Sequence, residues 1–270
     1  MRKLGCNAAP ILGNSIEQNM ELIKKAGFNS TFFEWNKELD LEKLIEKADS
    51  LDLEVETLHA PFGEINCLWE EGTEGDYYTE ELRLCIKAAA KYNIPYVIMH
   101  TTVSSSAPKT SHIALTRYRK LVMEAEKQGV KLAFENLEFI RHLSLILYTF
   151  KSENVGFCYD VGHEVCYTPG LKYLPLFGDR LFCTHIHDND GFPEDKVVDH
   201  KSDHHKIPFD GSIDFEKVCK GIKNCGFKGS LMLEVSSHEP YNFYKDLTPE
   251  QFYGKAYEAA VKLRNLTDGE

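Results

Sequence analysis

No stretch of this sequence is apolar for long enough to cross a membrane. The opening MRKLGCNAAPILGN, though basic at its start, has no apolar run of signal-peptide length, so a cytoplasmic protein without a membrane partner is expected. The eight cysteines include no CxxC pair, and Cys6, Cys158 and Cys183 fall inside apolar runs where a thiol acts as a small hydrophobe. Reduced cysteines are therefore expected, and a sulfur-based structural zinc is not indicated. Low-complexity tracts, runs of like charge and repeats of solenoid period are also missing. Basic residues are in the minority, 31 against 42 acidic ones, for a net charge of -11. That balance argues against nucleic acid as a partner, because affinity for a phosphate backbone comes from a basic face that releases counterions. Finally, GCNAAPILGNS lacks the GxGxxG turn of a dinucleotide-binding fold, which weakens an open doubly wound sheet.

What the chain does have is regular alternation. Its 270 residues suffice for one large domain spanning 1–270. Strand-like runs occur at 3–7, 30–35, 54–60, 96–101, 131–136, 155–160, 181–187 and 230–235. Between them lie amphipathic segments such as SIEQNMELIKKAG, in which Ile16, Met20 and Ile23 recur at helical spacing. Several of these end in Gly or Asn just before the next strand, as in KKAGFNS, AAKYNIPY, EKQGVKL and NCGFKGS, the residues that tolerate positive φ at a helix C-terminus. Eight strands alternating with helices and no break between them predict an α/β fold, the (β/α)8 TIM barrel.

In such a barrel the C-terminal strand ends form one face, where chemistry is built. The third strand ends in His59, the fourth in His100, and the fifth in Glu135 and Asn136. Asp160 ends the sixth, with His163 a turn later, while His185 and His187 end the seventh and Glu234 the eighth. The loop after the seventh strand adds Asp203 and His205. Imidazoles and carboxylates are costly to bury unless paired or bound to metal, and a ring of them without thiolate suits Zn, Mn, Co or Fe(II). By contrast His112 and His142 fall in helical stretches and read as surface residues, whereas His200, His204 and His238 lie in loops near the rim.

Taken in order, the motifs LHAPFGEIN, FEN, YDVGH, HIHDNDG, DHHKIPFDGSIDF and LEV make the sequence resemble the xylose isomerase-like barrel superfamily. That superfamily holds sugar isomerases, sugar-phosphate epimerases and endonuclease IV. Its isomerase and epimerase members imply a divalent metal (Mn, Zn or Co) held by Glu135, Asp160, His185 and Glu234. They further imply that Glu135 and Glu234 act as an acid–base pair on a metal-stabilised enediolate, with His163 and His187 orienting hydroxyls or shuttling protons. Endonuclease IV implies an alternative, a multinuclear zinc phosphodiesterase. His59 and His100 would then serve one metal, Asp160 and His185 a second, and His163, Asp203 and His205 a third, with Glu135 and Glu234 completing the shared shell, so the two readings together span one to three ions per chain.

Acidic charge favours the sugar reading, as does the loop APFGEINCLWEEGTEGDY, which contains no Lys or Arg. A lyase or dehydratase working through the same enolate, and a metal-binding protein without catalysis, remain open. With a single metal, His59 and His100 become substrate-binding groups for a small carbohydrate. Aromatics crowd the expected rim: Phe62 and Trp69 as sugar-stacking residues, with Tyr77, Tyr78, Phe33 and Trp35 nearby. The same crowding also suits core packing or a subunit contact in a homo-oligomer. Lys201, Lys206, His238 and Lys245 are the cations near enough to greet a sugar phosphate.

Overall fold

Local signals in the sequence open and close the helices. Ser15 and Gln18 form a capping box at the start of α1 (Ile16–Ala26), and Thr248 and Gln251 form another at the start of α9 (Pro249–Asp268). Positive φ occurs at Gly27, Asn93, Gly129 and Gly226, the positions expected to turn helices back into strands. The computed structural model describes residues 1–192, 200–237 and 242–269.

Eight strands result: β1 (Leu4–Asn7), β2 (Ser30–Glu34), β3 (Glu54–His59), β4 (Tyr96–Met99), β5 (Lys131–Glu135), β6 (Val155–Asp160), β7 (Leu181–His185) and β8 (Leu231–Leu233). All pair in parallel, in the order β7-β6-β5-β4-β3-β2-β1-β8. The two ends of that order meet at a parallel bridge between Ile186 and Leu233, where the Ile186 N–H donates to Met232 O at 2.9 Å and the Glu234 N–H to Ile186 O at 3.2 Å. The sheet is thereby a nearly closed TIM barrel.

Outside it run α2 (Leu41–Ser50), α3 (Glu74–Lys91), α4 (His112–Gln128), α5 (Ile140–Thr149), the short α6 (Val161–Cys166) and α7 (Leu174–Phe177), and α8 (Phe215–Asn224), together with α1 and α9. Their apolar faces and the outward strand residues make one continuous core, while Ile98, Ala133, Cys158 and Cys183 form a separate apolar cluster. Observed strands match the expected ones to within two residues at each end, the eighth being the most shortened, followed by the fourth and seventh. His100, His187 and Glu234 therefore stand just past strand ends rather than within strands.

Candidate metal centre

Register brings the site together. Asp160 is the Cα partner of His185 across β6 and β7, and Glu135 is one strand away, opposite Cys158. Asn136 joins the ends of β5 and β6 from both sides. Its side-chain amide donates to Asp160 O at 2.8 Å, and the Asp160 N–H donates to its Oδ1 at 2.8 Å. Asp160 also caps α6, accepting the His163 N–H at 2.6 Å, which turns the chain so that His163 faces the same rim.

Three clusters of imidazole and carboxylate ligand atoms follow, each with its members within 4.8 Å of one another, and a fourth group sets Cys158 beside Glu135 and His185. In the first, Glu135, Asp160, His185 and Glu234 converge. His185 Nδ1 lies 2.8 Å from Glu135 Oε1 and 3.1 Å from Glu234 Oε2. In the second, His59 and His100 meet Glu135, with Nε2 atoms 3.4 Å and 3.1 Å from its Oε2. The third joins His163, His187, Asp203 and His205. There Asp203 Oδ2 is 3.0 Å from His163 Nε2 and 3.1 Å from His205 Nε2, and His187 Nε2 is 3.1 Å from Asp160 Oδ1. Backbone carbonyls orient the rings: Ala60 O is 2.9 Å from His59 Nδ1, Asn136 O 3.1 Å from His163 Nδ1, and Glu234 O 3.0 Å from His205 Nδ1. Anchoring one ring nitrogen in this way sets which nitrogen is left for a ligand.

Electrostatics make the clusters hungry for positive charge. Burial opposes ionisation of Glu135, but His185, His100 and His59 outweigh it and hold its carboxyl well below the usual range. Burial likewise opposes the charged form of His185, and Glu234 and Glu135 override it, raising that imidazole well above its ordinary value. His163 is raised against its burial by Asp160 and Asp203, and His205 by Asp203 to about 10. His100 goes the other way, lowered because burial exceeds the pull of Glu135. Three carboxylates converge on a single imidazole in the first cluster, a concentration of acidic groups that suits a bound cation. Buried nitrogens without a partner, His185 Nε2, His187 Nδ1 and His100 Nδ1, add lone pairs or N–H groups that the protein itself does not satisfy. Oxygen-rich with one imidazole, the first cluster fits a hard-to-borderline divalent ion.

A cavity of about 460 Å³ opens above these groups, reached by His59, His100, His163, Asp203, His205 and Glu234. Glu135, Asp160, His185 and His187 lie beneath it, fully buried. Phe62 stands on the cavity wall with its ring stacked on His100 at 4.2 Å between centroids.

Trp69, expected to bind substrate, does not reach the cavity. It is buried, with its indole N–H donating to Thr101 O at 2.7 Å and its ring against Tyr118 and His142. A short 3-10 turn at Ile65–Trp69 swings the indole inward, so it packs the loop rather than a ligand. Phe33, Trp35 and Tyr78 are likewise core residues, and Tyr77 is exposed on α3. His142 is also misplaced by the sequence reading: far from being on the surface, it is fully buried, 2.9 Å from Pro108 O through Nε2. His112 is exposed as expected. His200 lines the cavity, Lys206 is paired with Asp190 at 2.6 Å, and His238 lies outside the described residues.

Three further residues belong to the candidate site without standing at a strand end. Asp188, in HIHDND, accepts the backbone N–H groups of Asn189, Phe209, Gly211 and Ile213 at 2.9–3.1 Å, so it folds the loop that brings Asp203 and His205 back to the rim. Tyr167 donates its hydroxyl to Asp203 Oδ2 at 3.3 Å. Glu138, three residues after Glu135, lines the cavity.

Comparison with known proteins agrees with this architecture. A family model described as xylose isomerase-like TIM barrel matches residues 20–260. An uncharacterized protein of Sinorhizobium fredii is 25% identical, over 93% of this chain and 89% of its own. Among solved structures, D-psicose 3-epimerase from Clostridium cellulolyticum H10, crystallised with D-tagatose, superposes with a TM-score of 0.77 at 13% identity, over 98% of this chain and 99% of that one. The IolI protein with a bound zinc atom superposes with a TM-score of 0.73 at 20% identity, over 99% and 98%. Such identities carry the fold alone.

Proposed function

The chain belongs to the xylose isomerase-like TIM barrel family, and we propose that within it the chain is a divalent-metal-dependent epimerase or isomerase of ketose sugars. The observation that carries this reading is the convergence of Glu135, Asp160, His185 and Glu234 at the floor of a sugar-sized cavity. These four would hold the ion. When bound, it supplies electrophilic polarisation of a carbonyl and its neighbouring hydroxyl, which acidifies the C–H between them.

The protein's own groups then move the proton. Glu234 is the member of the four that reaches the cavity, so its carboxylate is the one that takes a proton from a substrate carbon. Glu135, lying across His185 from it, is the counterpart that returns a proton. His59, His100, His163 and His205 line the walls and present ring nitrogens to substrate hydroxyls, while Phe62 closes one side against the sugar's C–H face. His187 sits below, 3.1 Å from Asp160, and acts by holding that carboxylate. The D-tagatose-bound epimerase and the zinc-bound IolI protein among the structural neighbours support both halves of the proposal.

The test is solvent deuterium incorporation. Protein loaded with Mn, Co or Zn and given free ketoses in D2O should place deuterium beside the carbonyl and form the epimer or aldose. Ketoses that return unlabelled and unchanged with every metal would overturn the reading.

A second reading rests on the other two clusters. His59, His100 and Glu135, with His163, His187, Asp203 and His205, could complete a multinuclear centre for phosphodiester hydrolysis. Close to three zinc ions per chain by elemental mass spectrometry, together with cleavage of abasic DNA, would favour it over the sugar reading.

A further inference from the structure

Glu138 stands on the cavity wall with a buried carboxylate oxygen, Oε2, that has no hydrogen-bond partner in the protein. It comes from the loop between β5 and α5, and beside it on the same wall is Ser104, held in the left-handed region at φ +67. Burial pushes the Glu138 carboxyl up, while its own backbone amide, the nearby His163 and the Ser104 amide pull it back toward the charged form. A buried carboxylate oxygen left unmatched costs free energy that a ligand hydroxyl would recover.

The rest of the wall sharpens what that ligand can be. Glu34, Asp203 and Glu234 share the cavity with Glu138, and its remaining polar groups are mostly imidazoles. Among the described residues no Lys or Arg lines it. Phosphate sites are built from guanidinium or ammonium groups or from free helix N-termini. The N-terminus of α5 follows Glu138 by two residues, and that of α6 is capped by the Asp160 carboxylate, so carboxylates of the protein stand by both.

We propose that Glu138 is a specificity-determining residue, accepting a hydrogen bond from a hydroxyl of an uncharged ketose and turning away ketoses that carry a phosphate. The proposal rests on the reading of the chain as a ketose epimerase or isomerase, and it assigns to that site a substrate without phosphate. Phe62, Val103 and Leu137 give the same cavity the apolar surface that a sugar's C–H face requires.

The experiment compares D-tagatose and D-fructose with D-fructose 6-phosphate, using metal-loaded wild type, Glu138→Gln and Glu138→Ala, with the metal content of each measured. Wild type should prefer the free sugars by about a hundredfold or more in kcat/KM. Glu138→Ala should raise KM for them by about tenfold or more, the scale of one hydrogen bond to a charged group. Glu138→Gln, isosteric and uncharged, should narrow the preference by about tenfold, with metal content unchanged in both variants. A wild type that prefers the phosphate overturns the inference without any variant. Ketose turnover with an unaltered preference in both variants overturns the inference and leaves the proposed function standing. Absence of turnover on every ketose, phosphorylated or not, defeats the proposed function and this inference with it.

Discussion

The ring of His187 fills the space that a side chain on Gly162 would need: a Cβ built there would lie 1.9 Å from Cε1 and 2.4 Å from Nδ1. The glycine of YDVGH is thus a packing requirement of the candidate metal-binding floor, since it lets α6 pass directly over the imidazole that lies 3.1 Å from Asp160. Gly162→Ala must displace either α6 or His187. The expected result is a loss of about 1–3 kcal/mol in urea denaturation and weaker metal retention, with a lower metal content after gel filtration as the second readout.

Glu234→Gln keeps the shape of the side chain and removes its charge. The variant should lose a hundredfold or more in kcat, on the order of what a positioned proton-transfer group contributes. It should also bind metal less tightly, because one of three carboxylates is gone. Turnover at the wild-type rate would rule out Glu234 as the proton-transfer group.

Metal removal should lower stability. Glu135, Asp160 and Glu234 repel one another once no cation separates them. An ion that binds only the folded state stabilises it by about 2.7 kcal/mol at a free concentration a hundred times Kd. Dialysis against chelator should therefore reduce Tm, and adding Mn, Co or Zn back should restore it. A Tm indifferent to all three would argue that the cluster holds no ion.

His142 predicts a defined acid sensitivity. Burial is the main cause that lowers its imidazole to about 4 in the folded protein. The unfolded chain takes up that proton near pH 6.5, so the stabilisation is complete above that pH and is lost as pH falls toward 4. Between pH 7 and pH 5 the loss should be about 1–2 kcal/mol. Comparing wild type with His142→Phe by denaturant unfolding at both pH values isolates it, since the variant should lose less stability on acidification.

Arg117 holds the loop that carries Phe62. Its buried guanidinium donates to the carbonyls of Cys67, Leu68, Glu70 and Gly72 at 2.6–3.1 Å. Arg117→Met removes the donor from all four oxygens, leaving Cys67 O its bond from the Glu70 N–H, and should cost about 3 kcal/mol or more. A raised KM in the same variant would report that the loop has loosened over the cavity.

Much of the site could be read directly from the chain. His59, His100, Glu135, Asp160, His185 and Glu234 are legible because each follows an apolar run, and such runs end on one rim in a parallel barrel. Residue type there states the chemistry, and the helix caps state where each strand must begin. Trp69, His142 and Glu138 were illegible for a different reason. Their spacing is compatible with the surface, the core or the cavity, and what selects among these is packing against distant segments. Trp69 is settled by Thr101, and His142 by Pro108, 34 residues away.

The chain alone thus determined the alternation of elements, the barrel and the ligand types offered at its rim, since these follow from local periodicity and the chemistry of single residues. Only the tertiary structure decided which of those ligands face one another. The contacts of Glu135 with His59 and His185 span 76 and 50 residues. Such contacts depend on strand register and on the directions of side chains brought together from far apart, and no local pattern specifies those.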